Sequence, residues 1–245
     1  MKIATTDGTA QALWAEWSVY GALDAGCMPE LLGWDDDGDR PILVLEDLSG
    51  ARWPPPWDTK LVERVVAVVR DLHRARGRLR LFSEVHGEGT NGWVAVGRAP
   101  EVLAATGLIP RRWLDRYGEL LRVHAASVET QGTEVCHFDV RSDNLCQAER
   151  GIVLVDWNLA CLGNGELDLG FWLPSLALEG GPFPQTILPD RGGIAAWVAG
   201  FFAARAGLPE IPDAPKVRWI QKRQLEMALQ WACTELELPS PITPP

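Results

Sequence analysis

Residues 137–144 read His-Phe-Asp-Val-Arg-Ser-Asp-Asn, and this stretch carries the strongest pattern in the sequence. Within it, Asp139 and Asn144 stand five positions apart, and Asp156 follows Asn144 by twelve positions, directly after the apolar run 151–155. Short apolar runs bounded by glycine and polar residues are typical of strands. The sequence therefore predicts a small hairpin of the runs 134–137 and 152–155 that presents two carboxylates and one amide at its ends.

These three side chains suit phosphoryl transfer. The Asp139 carboxylate can accept the proton of a substrate hydroxyl group. Asn144 and Asp156 offer oxygen ligands, which Mg²⁺ prefers, and Mg²⁺ completes its shell with water and with the phosphates of a nucleotide. We therefore predict that Asp139, Asn144 and Asp156 are catalytic, and that Asn144 and Asp156 bind Mg²⁺.

The pattern resembles the catalytic and metal-binding loops of protein kinases, H-x-D-x-x-x-x-N followed by D-F-G. Its details are more similar to the aminoglycoside phosphotransferase family, the small-molecule kinases that share the protein-kinase-like fold. In that family the second motif usually reads Asp-Trp, as Asp156-Trp157 does here. A glycine followed further on by Asp-Leu is also typical of the family, and Gly163 and Asp168-Leu169 match it.

This resemblance implies an α+β, protein-kinase-like fold with two lobes. We expect residues 1–48 to form a partial N-terminal nucleotide-binding lobe with its linker. Residues 49–245 then form a mainly helical C-terminal lobe that carries the catalytic loop and the substrate site. The break at 49–57, which contains three consecutive prolines, favours a boundary at this point. The runs 31–34 and 41–45 bracket an acidic turn and predict two paired strands.

The same resemblance assigns nucleotide contacts to four residues. Lys2 and Glu16 align with the family's strand lysine and the glutamate of the following helix, a pair that holds the α- and β-phosphates. Backbone groups of Glu46 and Leu48, in the linker, are expected to bind the base. ATP or GTP is the implied co-substrate, with Mg²⁺ as the implied ion.

Family members carry a hairpin with a phosphate-covering loop before this lysine, whereas only Met1 precedes Lys2 here. We expect a truncated N-terminal lobe that lacks this hairpin. Either the true start lies upstream, or the chain is naturally shorter than its relatives. The first explanation is favoured, because a sheet without its first strands exposes an edge and apolar surface.

Four further residues near the motif are interpreted by the same resemblance. His137 is expected to brace the loop by hydrogen bonding, and Asp168 to anchor the loop by accepting backbone N–H bonds. Arg141 would contact a phosphate or pair with a nearby carboxylate. Asp143 would orient Asn144 or remain a solvated loop carboxylate.

The composition is ordinary for a soluble globular protein, with 47% hydrophobic and 23% charged residues in a chain of 245. No apolar run is long enough to span a bilayer, and the N-terminus lacks the pattern of a signal peptide. We therefore expect a cytoplasmic protein with no membrane partner. The five cysteines form no C-x-x-C pair and are interpreted as reduced apolar filler.

The net charge of −10 disfavours nucleic-acid binding, because phosphate backbones attract clustered lysine and arginine. The same charge favours a cationic substrate. The leading hypothesis is a phosphotransferase that moves the γ-phosphate of ATP or GTP to a hydroxyl of a small molecule, of the aminoglycoside type or similar. The alternative is a kinase-like binding protein whose catalysis is impaired because the phosphate-binding loop is absent.

Overall fold

The computed structural model describes residues 1–87, 91–212 and 214–242. Within them, short antiparallel strands are combined with helices. The strands are β1 (Lys2–Ile3), β2 (Leu31–Asp35), β3 (Ile42–Leu45), β4 (Glu134–Cys136), β5 (Leu145–Ala148), β6 (Gly151–Leu154) and β7 (Cys161–Gly163). The α-helices are α1 (Asp7–Tyr20), α2 (Thr59–His73), α3 (Phe82–His86), α4 (Gly92–Arg98), α5 (Pro100–Ala104), α6 (Arg111–Ala126), α7 (Gly165–Leu178), α8 (Pro184–Ile187), α9 (Gly192–Ala203) and α10 (Lys216–Glu235). A 3-10 helix spans Trp157–Leu159.

The chain forms two compact units. Unit 1 consists of Met1–Glu88 and Thr130–Leu169, and unit 2 consists of Gly89–Glu129 and Gly170–Pro245. Unit 1 contains all seven strands together with α1, α2, α3 and the 3-10 helix, whereas unit 2 is helical in its described part. The predicted lobe boundary after residue 48 stays a prediction.

Unit 1 begins with a three-stranded antiparallel sheet in the order β1-β3-β2. The predicted strands at 31–34 and 41–45 are confirmed as β2 and β3, and the acidic run lies in the turn that joins them. Leu43 of β3 is fully buried and packs with Ala4 and with Ala10 and Leu13 of α1. This small apolar cluster holds α1 against the sheet.

Helix α1 begins after Thr6, whose hydroxyl accepts the N–H of Thr9 while the Thr9 hydroxyl accepts the N–H of Thr6. This reciprocal capping satisfies backbone donors that the first helical turn leaves unpaired. Buried positions then follow at helical spacing, and Glu16 is among them at 1% exposure. A buried carboxylate needs a partner, and the face of α1 that carries Glu16 therefore has to meet a cation.

Helix α2 has a side-chain cap at its start and a broad buried face. The Asp58 side chain accepts the N–H of Leu61 at the helix start, and the apolar residues at helical spacing are buried. The helix ends at His73, whose side chain is 7% exposed. Burial of a polar imidazole again calls for a hydrogen-bonding partner.

The strands around residues 137–144 pair differently from the prediction. β5 and β6 form the hairpin, while β4 pairs with β7. The predicted pairing of the run 134–137 with the run 152–155 is therefore wrong. β6 pairs with the strand just before it because closing that short turn costs little entropy, which leaves β4 to pair further along the chain. The loop 137–144 consequently connects two separate ladders.

Unit 2 is organised around α9, nearly all of whose residues are buried. Helices α4, α6 and α10 pack against α9. The contact with α4 is close at Gly92, where an added Cβ would lie only 1.9 Å from the Gly200 carbonyl oxygen. The Trp93 indole N–H donates to the Ala196 carbonyl at 2.7 Å. Among the described residues, no helix is both long and apolar enough to cross a membrane.

Candidate active site

The loop 137–144 is fixed by one buried carboxylate. Asp168 is 0% exposed and accepts the backbone N–H of His137 at 2.9 Å and that of Phe138 at 2.7 Å. The buried His73 imidazole Nε2 lies 3.0 Å from the same carboxylate. Phe138 adopts a left-handed backbone conformation with φ 56°, which is uncommon for a large side chain. The hydrogen bonds that the Asp168 carboxylate accepts hold the loop in this turn just before Asp139.

His137 braces the loop in a definite tautomer. Its Nε2 lies 3.0 Å from the Val155 carbonyl oxygen, which can only accept, so Nε2 carries the proton. Its Nδ1 then accepts the Asp139 N–H at 3.2 Å. Burial lowers the pKa of His137, which keeps the ring neutral and this arrangement intact. The imidazole thereby ties the backbone of residue 139 to that of residue 155.

Asp139 and Asn144 are in direct contact. The Asn144 amide Nδ2 donates to the Asp139 carboxylate Oδ2 at 2.7 Å and to the Asp139 carbonyl at 2.9 Å. Burial raises the pKa of Asp139, and the nearby Asp156 charge acts in the same direction, against the lowering effects of Arg141 and His137. Asp139 is therefore more basic than an ordinary aspartate, and 22% of its side chain stays exposed.

Lys2 is the cation that Glu16 requires. Its Nζ lies 2.7 Å from Glu16 Oε2 and 3.0 Å from Asp156 Oδ1. Burial alone lowers the pKa of Lys2, but the two carboxylates outweigh that effect and leave the pKa above its ordinary value. The ammonium group is therefore charged, and it joins β1, α1 and the residue that precedes the 3-10 helix.

The donor set at Asn144 and Asp156 fits Mg²⁺. Because the Asn144 amide nitrogen faces Asp139, its oxygen Oδ1 is left as a ligand. Asp156 adopts a left-handed conformation with φ 69°, and its side chain is 40% exposed. The Val155 N–H donates to the Asn144 carbonyl at 2.8 Å, which brings the chain on either side of the hairpin together. An amide and a carboxylate oxygen are hard ligands of the kind this ion takes.

Arg141 was expected to contact a phosphate or a carboxylate, and Asp143 to orient Asn144 or to remain solvated. The Arg141 guanidinium pairs with Asp143 at 3.0 Å and lies 3.4 Å from Asp139, so it contacts carboxylates in this structure. The Asp143 side chain is 68% exposed and its partner is Arg141. Asp143 is a solvated loop carboxylate in this arrangement.

The linker segment, residues 46–48, is held by contacts on both sides. The Glu46 N–H donates to the Glu30 carbonyl at 3.0 Å, and the Glu46 carboxylate accepts the Glu30 N–H at 2.7 Å. The Leu48 carbonyl accepts the Ala51 N–H at 3.0 Å. The structure thus places the predicted residues in two hydrogen-bonded groups, Lys2 with Glu16 and Asp156, and Asp139 with Asn144. The Val155 N–H bond to the Asn144 carbonyl joins the two groups through the backbone, and Glu46 and Leu48 lie on a separate segment.

The sequence did not reveal the partner of His73. Its contact with Asp168 spans 95 positions, and no local spacing signals such a pair. It also missed Arg150, whose side chain hydrogen-bonds the carbonyls of Gly26 and Met28 and the Glu46 carboxylate. Hydrogen bonds to backbone carbonyls cannot be predicted from the sequence, because every residue carries the same carbonyl group.

Solved structures with a similar fold include an aminoglycoside phosphotransferase and a choline kinase. A choline/ethanolamine kinase family protein from Mesorhizobium loti aligns with a TM-score of 0.53 at 17% identity, over 94% of this chain and 80% of that one. A thermostable mutant of aminoglycoside phosphotransferase APH(4)-Ia, in a ternary complex with AMP-PNP and hygromycin B, aligns with a TM-score of 0.56 at 14% identity, over 94% of this chain and 85% of that one. Choline kinase LicA from Streptococcus pneumoniae aligns with a TM-score of 0.51 at 13% identity, over 96% and 85%.

At these identities the likeness establishes the fold, and the predicted α+β, protein-kinase-like class is confirmed. Among curated protein sequences, none matches this chain significantly. The sequence profile of the phosphotransferase enzyme family matches residues 6–228, which is most of the chain and includes the whole of the loop 137–144. The predicted family is therefore confirmed as well, and the chain belongs to the phosphotransferase enzyme family.

Proposed function

We propose that this protein transfers the γ-phosphate of ATP or GTP to a hydroxyl group of a small molecule, with Mg²⁺ as cofactor. The observation that carries the proposal is the pair of hydrogen-bonded groups, Lys2 with Glu16 and Asp156 and Asp139 with Asn144, which the backbone bond from Val155 to Asn144 joins. It supplies a charged ammonium group, two oxygen ligands for a metal ion and a carboxylate of raised pKa within one unit. Phosphoryl transfer needs this combination, because most of its catalysis is positioning and charge stabilisation.

Asp139 is assigned to the acceptor hydroxyl. Its raised pKa makes its carboxylate a better proton acceptor, while the Asn144 amide and the Asp168-anchored backbone fix its direction. The proton of the hydroxyl passes to an Asp139 carboxylate oxygen as the acceptor oxygen attacks the γ-phosphorus. The bond from that phosphorus to the β,γ-bridging oxygen breaks, and the nucleoside diphosphate leaves.

Lys2 is assigned to the α- and β-phosphates, and Glu16 holds its ammonium group in place. Asn144 and Asp156 would hold Mg²⁺, which neutralises charge on the β- and γ-phosphates when it is bound. We assign the Glu46 carbonyl and the Leu48 N–H to the base. The opposite backbone groups, the Glu46 N–H and the Leu48 carbonyl, already hydrogen-bond within the protein.

The acceptor is proposed to be cationic, of the aminoglycoside or choline type. A net charge of −10 concentrates cations near the surface and speeds their encounter with the site. The solved structures with a similar fold include an aminoglycoside phosphotransferase and a choline kinase. Aminoglycosides and choline both carry positive charge and hydroxyl groups.

The test is a transfer assay with the purified chain, Mg²⁺, ATP or GTP, and a panel of aminoglycosides, choline and neutral alcohols. Acceptor-dependent release of nucleoside diphosphate and a phosphorylated product detected by mass spectrometry are expected. Asp139→Asn should lower kcat by about 100-fold or more. Asp71→Asn makes the same charge change on the exposed face of α2, where Asp71 pairs with Arg74, and should leave kcat unchanged.

Two results would contradict the proposal. Full transfer activity in Asp139→Asn would show that Asp139 is not the proton acceptor. Nucleotide binding without transfer to any acceptor in the panel would favour the alternative, a kinase-like binding protein that does not catalyse.

A further inference from the structure

Arg150 makes an unusual set of contacts from the turn between β5 and β6. One guanidinium nitrogen, Nη1, donates to the Gly26 carbonyl at 2.7 Å. The other, Nη2, donates to the Met28 carbonyl at 2.7 Å and to Glu46 Oε2 at 3.0 Å. One side chain therefore joins the hairpin, the segment 26–28 and the linker segment 46–48. A planar guanidinium suits this role, because its N–H groups point to several acceptors at once.

The linker end of this junction is charged and well bonded. Burial acts to raise the pKa of Glu46, but the hydrogen bonds from the Glu30 N–H and from Arg150 outweigh it and leave the pKa below its ordinary value. The Glu46 carboxylate is therefore ionised at neutral pH. It accepts from Glu30 and Arg150 through the same oxygen, Oε2. Arg150 thus adds a bond between the hairpin and residue 46, which Glu30 also holds.

The segment 26–28 adds a second attachment to the same hairpin. The Leu154 N–H, in β6, donates to the Cys27 carbonyl at 2.8 Å. Gly26, Cys27 and Met28 consequently present three successive carbonyls to Arg150 and Leu154. The turn end of the hairpin is clamped by charge-assisted bonds, which are roughly twice as strong as neutral ones.

The other end of the hairpin carries the proposed magnesium ligands. Asn144 directly precedes β5, and Asp156 lies two positions after the end of β6. A four-residue strand is roughly 13 Å long, so a tilt of only about 5° at the turn would move the ligands by about 1 Å, and an error of that size can cost about 100-fold in rate. Leu154, at this end of β6, is bonded to the Cys27 carbonyl, so the segment 26–28 connects the Arg150 contacts to the ligand end of the hairpin.

We propose that Arg150 is a positioning residue. It fixes the linker segment, which would bind the base, at a set distance from Asn144 and Asp156, which would hold the Mg²⁺ of the nucleotide. The inference rests on the proposed function. A nucleoside triphosphate has a fixed distance between its base and its γ-phosphate for each bound conformation. It can contact the linker segment and the magnesium ligands at once only when the protein holds these two parts at the matching distance. Adenosine, which has no phosphates, would contact the linker segment, and its affinity should not depend on that distance.

This difference gives a direct test by calorimetry. The dissociation constants of adenosine and of Mg²⁺-AMP-PNP are compared in the natural protein and in Arg150→Met; guanosine and the GTP analogue replace them if GTP is the preferred nucleotide. Arg150→Met should weaken the triphosphate analogue about tenfold, while adenosine changes by less than about twofold. A general structural defect would weaken both ligands alike.

The matched control is Arg64→Met. Arg64 also donates to the hairpin, to the Gln147 side chain at 3.0 Å, but it makes no contact with the linker segment. It should change neither dissociation constant. Arg150→Lys and Glu46→Gln keep part of the junction and should show smaller, selective losses for the triphosphate analogue. They also carry the test if Arg150→Met does not fold.

Equal weakening of both ligands in the Arg150 variants, or no weakening of the triphosphate analogue, would overturn the inference. An effect in Arg64→Met as large as that in Arg150→Met would do the same. Failure of the natural protein to bind either nucleotide analogue would instead contradict the proposed function itself. A failed prediction in the variants thus concerns the role of Arg150, whereas failure of the natural protein to bind concerns the proposed function.

Discussion

Lys2 Nζ lies 3.0 Å from Asp156 Oδ1, although the two residues are 154 positions apart in the chain. The same ammonium group contacts the buried Glu16 carboxylate at 2.7 Å. The lysine assigned to the phosphates and the carboxylate assigned to the metal ion are thus already adjacent. In the proposed complex, a metal-bound triphosphate would meet both partners at this position.

Lys2→Met should destabilise the protein because it leaves the Glu16 carboxylate buried without its cation. We expect a loss of about 2 kcal/mol in the free energy of unfolding, at the low end for such pairs because Lys2 is partly exposed. Lys2→Met/Glu16→Leu should recover most of this stability but not the affinity for Mg²⁺-ATP. Urea unfolding and nucleotide titration measure the two quantities, and recovery of affinity in the double variant would exclude Lys2 from phosphate binding.

Asp139→Asn should raise the stability of the protein at neutral pH while it abolishes transfer. The pKa of Asp139 is raised in the folded state, so its ionised form opposes folding at every pH above that pKa. This cost disappears as the pH falls towards the unfolded value of about 3.9. Thermal unfolding from pH 8 to pH 4 should therefore show a stability advantage of the variant that shrinks on acidification. A variant less stable than the natural protein at pH 8 contradicts this expectation.

The acid side of the pH–rate profile should report the same group. Protonation of Asp139 removes the proton acceptor, so kcat/KM should fall as the pH drops through an apparent pKa above the value of about 3.9 for a free aspartate. The measurement is initial rate against pH with saturating Mg²⁺ and nucleotide. A flat profile down to pH 4 would show that Asp139 accepts no proton in the rate-limiting step.

Asp168→Asn should destabilise the protein by about 3–5 kcal/mol, because a buried acceptor of three hydrogen bonds is replaced by an amide that also donates. Burial raises the pKa of Asp168, but the bonds from His73 and from the His137 N–H outweigh it and keep the pKa below its ordinary value. The stabilisation is thus present above about pH 3.9 and is lost as the pH falls through the folded-state pKa. Hydrogen exchange at the amides of His137 and Phe138 measures the loss locally. Unchanged protection of both amides would rule out the anchoring role.

Local patterns in the sequence predicted much of this molecule. The bracing of the loop 137–144 by His137 and its anchoring by Asp168 were predicted because the residue spacing of the motif is a short-range signal. The paired strands β2 and β3 were predicted because the acidic turn between them is equally local.

Pairing between distant segments was beyond such signals. The runs 134–136 and 152–154 are both short and apolar, and nothing in their composition distinguishes the actual partners, β7 for one and β5 for the other. The contacts of Arg150 and of His73 also depend on the completed fold, since their acceptors are backbone carbonyls or a carboxylate far along the chain.

The dependence of ATP binding on Mg²⁺ tests the central claim most directly. Calorimetric titration of ATP, with Mg²⁺ and with EDTA, compares the natural protein with Asp156→Asn. We predict that Mg²⁺ tightens ATP binding at least about tenfold in the natural protein and has little effect in the variant. Equal enhancement by Mg²⁺ in both proteins, or no ATP binding in the natural protein, would contradict the assignment of this site to a metal-bound nucleotide.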